Sequence, residues 1–419
     1  MHEFKYKGND FYCESVKLKN LVKRYSTPLY IYSYNVIAGR FARLQKAFRP
    51  VSALICYSVK ANSNLSILKC LVKLGAGLDI VSGGELYRAK MVKCPPGRIV
   101  YASVGKTEKE IREAIEYGIF MFNAESEQEL DKINTIAKRL KKKTNVSLRI
   151  NPDVEPKTHR YITTGKKETK FGIDIDSARK IFLSRRKYGN LNIIGIHIHI
   201  GSQVITAAPF VKAIKKIKSL NDRLRARGVL LRYFNIGGGL GIVYDKEKPQ
   251  TAHEFAQRAL PLLKEAGLKV ILEPGRFILG NAGILVTKVL YVKDIPHKRF
   301  VIVDAAMNDL LRPALYGAYH KIVPLFRRAK SQELRAKSVD VVGPVCESGD
   351  FFGKERKLSV KKEDYLAVLG TGAYGFSMSS NYNSRRRCAE VLVKGNKSYL
   401  IRERETYKDL VSKEIIVDI

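Results

Sequence analysis

Between about residue 50 and residue 280 the chain alternates between two hydrophobic periods. Short runs rich in Val, Ile and Tyr, at 53–58, 77–81, 98–102, 119–123, 146–150, 193–200, 233–236 and 269–272, read as buried strands. The segments between them, such as 126–143 and 209–227, repeat their apolar residues at helical spacing and so predict helices with one buried face. Eight strand-and-helix units in about 230 residues match an α/β fold of the (β/α)8, TIM-like barrel type. The alternative, an open doubly wound sheet, normally uses fewer strands in one domain.

After residue 280 the pattern changes. Runs at 284–292, 300–304, 338–342, 364–369, 389–393 and 399–402 look like strands with few long helical patterns between them, which predicts a second, mostly β domain. The run Pro28-Leu29-Tyr30-Ile31-Tyr32-Ser33 precedes the barrel and is expected to pair with that domain. The expected division is a barrel over 36–280 and a β-rich domain made of 1–35 plus 281–419.

Composition narrows the class. With 45% of its 419 residues hydrophobic and 28% charged, the chain has the balance of a globular protein. No apolar stretch is long enough for a membrane span, and the charged start Met1-His2-Glu3-Phe4-Lys5 lacks the apolar core of a signal peptide, so a cytoplasmic protein with no membrane contact is expected. Charge is the unusual feature: 76 Lys and Arg against 40 Asp and Glu give a net +36. The densest basic runs, 138–143 and 385–387, are short and lack stacking aromatics or zinc-finger spacing, which argues against specific nucleic-acid binding. A basic surface still concentrates small anions around it. The six cysteines contain no C-x-x-C pair, so no metal centre is expected, and all but Cys346 read as small buried hydrophobes.

Catalytic groups of a barrel lie where its strands end, and here those ends are unusually polar. The first strand runs into Tyr57-Ser58-Val59-Lys60-Ala61-Asn62; a lysine leaving an apolar strand is partly desolvated, which lowers its pKa and suits an amine that forms a Schiff base. The second carries Asp79. The sixth reads His197-Ile198-His199-Ile200-Gly201-Ser202-Gln203, with two imidazoles on one face and no third ligand at metal spacing, so packing of a His on a flat cofactor is the better reading. Strand seven ends in Gly237-Gly238-Gly239, whose bare backbone can approach an anion, and strand eight in Glu273-Pro274-Gly275-Arg276. An amine, an anion cradle, a carboxylate and a stacking imidazole together describe a pyridoxal phosphate site.

Seven motifs extend this to nearly the whole chain: Tyr57-Ser-Val-Lys-Ala-Asn62, His199-Ile-Gly-Ser-Gln203, Gly237-Gly-Gly239, Glu273-Pro-Gly-Arg276, Met307-Asn-Asp-Leu-Leu-Arg-Pro-Ala-Leu-Tyr316, Gly343-Pro-Val-Cys-Glu-Ser-Gly-Asp350 and Gly372-Ala-Tyr-Gly-Phe-Ser-Met-Ser-Ser-Asn-Tyr-Asn383. In these the sequence resembles the diaminopimelate decarboxylases, within the barrel-fold group of pyridoxal-phosphate decarboxylases and alanine racemases. The resemblance implies decarboxylation of meso-2,6-diaminopimelate to L-lysine and CO2. It implies that Lys60 carries the cofactor, that Asp79 belongs to the cofactor site, that His199 stacks on the pyridine ring and that Glu273 keeps the ring nitrogen protonated. Ser202, Gly238, Gly239, Gly275, Arg276 and Tyr374 would surround the phosphate. Arg276, Arg312, Tyr316, Glu347 and Tyr374 would bind the far amino-acid end of the substrate, and Cys346 would protonate the α-carbon. The resemblance also implies a homodimer whose active sites are completed by the β-rich domain and shared between subunits. Rival readings are a decarboxylase of the same fold acting on arginine, ornithine or a carboxylated polyamine, an alanine racemase, which Glu273 facing the ring nitrogen disfavours, a non-catalytic pyridoxal-phosphate-binding protein and, more remotely, a basic RNA-binding protein. Finally, the loop 151–172, with Lys157, His159, Lys166, Lys167 and Lys170, is expected to close over the anionic substrate.

Overall fold

The two groups of strand-like runs, before and after residue 280, become two sets of strands in the computed structural model, which describes residues 3–155, 170–327 and 336–419. The chain divides into one unit of residues 39–242 and 247–277 and another of residues 1–38, 243–246 and 278–419. In chain order, β1 (Phe4–Lys7), β2 (Asp10–Cys13) and β3 (Val16–Lys17) form a small antiparallel sheet. β4 (Leu29–Ser33) follows, buried along its whole length.

The eight strands of the first unit are β5 (Leu54–Ser58), β6 (Gly77–Ile80), β7 (Ile99–Tyr101), β8 (Met121–Ala124), β9 (Thr144–Arg149), β10 (Leu191–His197), β11 (Tyr233–Asn235) and β12 (Lys269–Leu272). Each pairs in parallel with its sequence neighbours, and β12 returns to β5 with Ile271 opposite Leu54 and Leu272 opposite Ile55. The barrel is therefore closed, which removes the open-sheet alternative. An apolar cluster of Cys56, Val100, Met121, Ile194 and Ile271 lies inside this unit. Ser58, Asp79, Asn123, Ser147, His197 and Asn235, also on these strands, are at most 2% exposed. Buried polar groups persist only where they are hydrogen-bonded, so this set marks the place to look for chemistry.

β10 ends at His197, three residues short of the expected run. Ile198 N–H still meets Asn235 O at 2.9 Å, after which the chain turns through Gly201 at φ 152°. His199 therefore sits in the turn rather than in the strand.

The second unit adds β13 (Gly283–Ile295), β14 (Lys298–Val303), β15 (Ile322–Pro324), β16 (Lys337–Val342), β17 (Phe351–Leu358), β18 (Tyr365–Leu369), β19 (Ala389–Lys394) and β20 (Lys397–Arg402). The strand path is β17-β16-β14-β13-β4-β19-β20, with β18 pairing β13 and β15. β4 lies between β13, antiparallel, and β19, parallel, as expected of a strand set apart from the barrel. Leu29, Ile31, Ile284, Val286, Val391 and Val393 pack with Phe4, Phe11, Leu18 and Leu21 into one core. β17 escaped the sequence reading because it carries four consecutive charges, Lys354 to Lys357, which are tolerated at a sheet edge.

The closing loop expected at 151–172 lies mostly outside the described residues, and Lys157, His159, Lys166 and Lys167 fall there. Among the described residues no helix is long and apolar enough to cross a membrane.

Candidate active site

Three of the expected residues meet at the ends of β5, β6 and β12. Lys60, in the turn that leaves β5, places Nζ 3.0 Å from Asp79 Oδ2, and Ser58 Oγ donates to the same oxygen at 2.7 Å. That hydroxyl lies 2.9 Å from the carbonyl oxygen of Glu273. The Lys60 side chain keeps 39% of its surface accessible while Asp79 has none, so the desolvation expected for this lysine is offset by a buried counter-charge. Burial and the neighbouring Glu273 push the Asp79 carboxyl up, against Lys60 and Ser58. Glu85, whose carboxylate accepts Val81 N–H at 2.8 Å, is pushed up to about 7 by burial, with Lys60 opposing.

Glu273 is 5% exposed and held on both oxygens. Asn123 and Asn235 donate to Oε1 at 3.0 and 2.6 Å, and His197 Nε2 lies 3.1 Å from Oε2. Burial alone would raise this carboxyl, but the contact with His197, the Lys60 charge and the Asn235 amide hold it below the usual range. Ser147 Oγ donates to Asn123 Oδ1 at 2.5 Å, and Gly237 N–H to Asn235 Oδ1 at 3.0 Å, so the amides are themselves fixed.

The glycine loop follows directly from β11. A Cβ on Gly238 would stand 2.1 Å from Glu273 O, and one on Gly239, at φ 103°, would stand 2.2 Å from Gly201 O. No side chain fits at either position. Gly238 N–H donates to His199 Nδ1 at 3.3 Å. Burial and the positive charges of Arg149 and Lys60 hold His199 well below the ordinary histidine value. It is therefore neutral with its proton on Nε2. Arg149 is itself paired with Glu125 at 2.6 Å. Arg276 donates through Nε and Nη2 to Ser202 Oγ at 3.2 and 3.0 Å, and Gly275 is buried in the turn just before the short helix Arg276–Leu279.

In the β unit, Arg312 is buried at the start of the helix Arg312–Tyr316, and Tyr316 closes that helix half-buried. Arg312 Nη1 lies 2.8 Å from His320 Nε2, and its guanidinium lies 4.5 Å from the centre of the Tyr244 ring. Cys346 and Glu347 are exposed in the turn before β17; Glu347 accepts the Tyr382 hydroxyl, and Asn383 Oδ1 accepts Cys346 N–H at 3.4 Å. Asp350 ties this turn to the Arg312 loop by accepting from Val345 N–H at 2.8 Å and Met307 N–H at 2.7 Å. Tyr374 is half-buried in a left-handed conformation at φ 57°.

The barrel group fits pyridoxal phosphate. It offers an accessible amine, an ionised carboxylate, a neutral imidazole, and a guanidinium and hydroxyl beside a backbone that has no room for side chains. Among the described residues Asp79 Oδ1 is buried without a hydrogen bond, an arrangement that suits a ligand donor. Sequence reasoning missed Asn123, Asn235 and His320, and gave His197 no role of its own. The two asparagines were legible in principle, since an amide at the end of a strand buried on both faces needs a partner. His320 carried no signal, because its partner Arg312 stands eight residues away across a turn.

The chain matches the family model described as "Pyridoxal-dependent decarboxylase, pyridoxal binding domain" over residues 35–280. It is 50% identical over 412 residues to the diaminopimelate decarboxylase of Aquifex aeolicus, covering 98% of this chain and 97% of that protein. To that of Vibrio cholerae it is 46% identical over 419 residues, with complete coverage of both. Among solved structures, it resembles the Helicobacter pylori diaminopimelate decarboxylase complexed with L-lysine at TM-score 0.91 and 42% identity, covering 95% and 99% of the two chains. The M. jannaschii enzyme in co-complex with L-lysine superposes at TM-score 0.93 with 38% identity, covering 99% and 98%.

Proposed function

The chain belongs to the diaminopimelate decarboxylases, and from that premise we propose that it removes CO2 from the D-centre of meso-2,6-diaminopimelate to leave L-lysine, the last step of lysine synthesis by the diaminopimelate route. Pyridoxal phosphate, when bound, supplies the electron sink for the pair left behind as CO2 departs. The observation that carries the reading is the joint placement of Lys60, Asp79, Glu273, His199 and the glycine loop at one end of the barrel strands.

Lys60, with Asp79 as its counter-charge, holds the cofactor through its amine. Glu273 stays ionised, which favours a proton on the ring nitrogen, and the neutral His199 packs on the ring without adding charge. Ser202, Gly238, Gly239, Gly275, Arg276 and Tyr374 take the phosphate. Clamping the departing carboxylate with arginine would stabilise the ground state, so the arginines read the other end of the substrate. Arg276, Arg312, Tyr316 and Tyr374 hold that distal carboxylate, Glu347 its ammonium, and Cys346 delivers a proton to the α-carbon. The exposure of Cys346 and Glu347 supports their reaching the site of a second subunit, hence a homodimer with shared sites. The six cysteines form no disulfide among the described residues, which is in keeping with the cytoplasm.

The test is CO2 release by the cofactor-loaded protein from meso-diaminopimelate, lysine, ornithine and arginine, with Lys60→Ala as the blank. Turnover confined to meso-diaminopimelate is expected. Turnover of ornithine or arginine in its place would keep the cofactor and overturn the distal-carboxylate reading.

A further inference from the structure

The Arg312 guanidinium is oriented by a histidine that can exist here in one protonation state only. His320 is fully buried, and each of its ring nitrogens faces a group of fixed character. Nδ1 lies 2.8 Å from the backbone oxygen of Leu369, which only accepts, so Nδ1 carries the proton. Nε2 lies 2.8 Å from Arg312 Nη1, which only donates, so Nε2 presents its lone pair. The imidazole is thus a neutral acceptor wedged under a guanidinium. The Tyr244 ring completes the seat, 4.5 Å from the guanidinium and edge-on to His320 at 5.3 Å. Local folding brings the two together: the helix Arg312–Tyr316 stops at Gly317, left-handed at φ 59°, and the chain doubles back so that Ala318 N–H reaches Arg312 O at 3.4 Å.

From this we infer that His320 is a positioning residue that sets the affinity for the distal carboxylate by holding Arg312 in one orientation. The inference rests on the reading of Arg312 given above. An arginine that loses this acceptor keeps its charge and its place against Tyr244 but is less firmly oriented, and the loss falls on binding rather than on the chemistry at the other end of the substrate. His320 therefore acts on KM and leaves kcat nearly unchanged.

The test uses the holoenzyme and two variants that split the roles of the ring. His320→Asn keeps a donor near Leu369 O and loses the acceptor for Arg312, whereas His320→Gln extends an amide oxygen to where Nε2 stands. Inhibition constants are measured for L-lysine, which retains the distal carboxylate, and for 1,5-diaminopentane, which lacks it. For His320→Asn we expect KM for meso-diaminopimelate and the inhibition constant of L-lysine to rise together by roughly tenfold, the loss of one charge-assisted hydrogen bond. Diaminopentane inhibition and kcat should stay within about twofold, and His320→Gln should recover most of the lysine affinity. Equal values for parent and His320→Asn would overturn the inference. So would losses in both variants that track a fall in Tm and affect diaminopentane as much as lysine, since that pattern belongs to packing. Arg312→Ala separates the premise: if it leaves lysine inhibition untouched, the reading of Arg312 fails; if it abolishes the preference for lysine while His320→Asn does not, only the role of His320 fails.

Discussion

Glu273 shows how a single residue's environment decides its chemistry. A carboxylate this deeply buried would ordinarily take up a proton, and the contact with His197, the Lys60 charge and the asparagine amides keep it ionised. Replacing His197 by Ala removes the partner that the described residues give Oε2, and the affinity of the apoprotein for pyridoxal phosphate, measured by absorbance titration, should weaken by roughly tenfold. His197→Gln, which keeps a donor, should lose less; an unchanged Kd in the alanine variant would show that the asparagines suffice. Glu85 responds in the opposite direction. Its carboxyl is raised from 4.5 to about 7 in the folded chain, so between those values the native state retains a proton that the unfolded chain has released. Its contribution to stability is full below about pH 4.5 and is lost as pH rises through about 7. Thermal melts of Glu85→Gln should therefore lack part of the parent's decline in Tm between pH 5 and 8, a difference of roughly 2–4 °C.

Among the elements, the glycine loop after β11 has the least freedom. Gly238→Ala would drive a methyl into the backbone oxygen of Glu273, a group that cannot rotate away, so the loop or β12 has to shift. Cofactor affinity should fall by at least about tenfold and Tm with it; a variant that binds pyridoxal phosphate normally would show that the loop is more pliant than its contacts imply. The barrel strands were legible because burial on both faces leaves nearly unbroken apolar runs, as in β10, Leu191–His197. Less legible were elements whose stability comes from their neighbours. β17 hides behind Lys354-Glu355-Arg356-Lys357, and β1 to β3 are too short to show a period. At the site, groups carried by motifs could be read directly, whereas Asn123, Asn235 and His320 matter through the residues they hold. Such a role depends on distances in space that spacing along the chain does not encode.

At the scale of the whole molecule, the exposed Cys346-Glu347 turn makes an assembly experiment decisive. Lys60→Ala and Cys346→Ala should each be inactive alone. If sites are shared across a twofold interface, dissociating and reassociating an equal mixture should restore about a quarter of parent activity, because half the dimers are mixed and each of those has one intact site. Absence of recovery, with mixed dimers demonstrated by mass, would place both groups of one site in the same subunit. If subunits associate, the net charge of +36 makes that association salt-dependent, so dissociation and reassociation are compared at one ionic strength.

β4 has a history that the finished sheet conceals. It leaves the ribosome before any barrel strand, yet its two neighbours, β13 and β19, are made after the barrel. From Ser33 to Ala389, at about 5–20 residues per second, the wait is roughly 20 to 70 seconds. Until β13 is made, Leu29-Tyr30-Ile31-Tyr32-Ser33 is an apolar strand with two unpaired edges, and the edge that β19 takes stays open to capture by other nascent chains for the whole interval. A circular permutant that begins at residue 39 and carries residues 1–38 after residue 419 would synthesise this strand last, and its soluble yield without added chaperones should exceed that of the parent. The harvest of native protein is then governed by how well five residues are shielded while the rest is being translated, a liability that no assay of the folded enzyme registers.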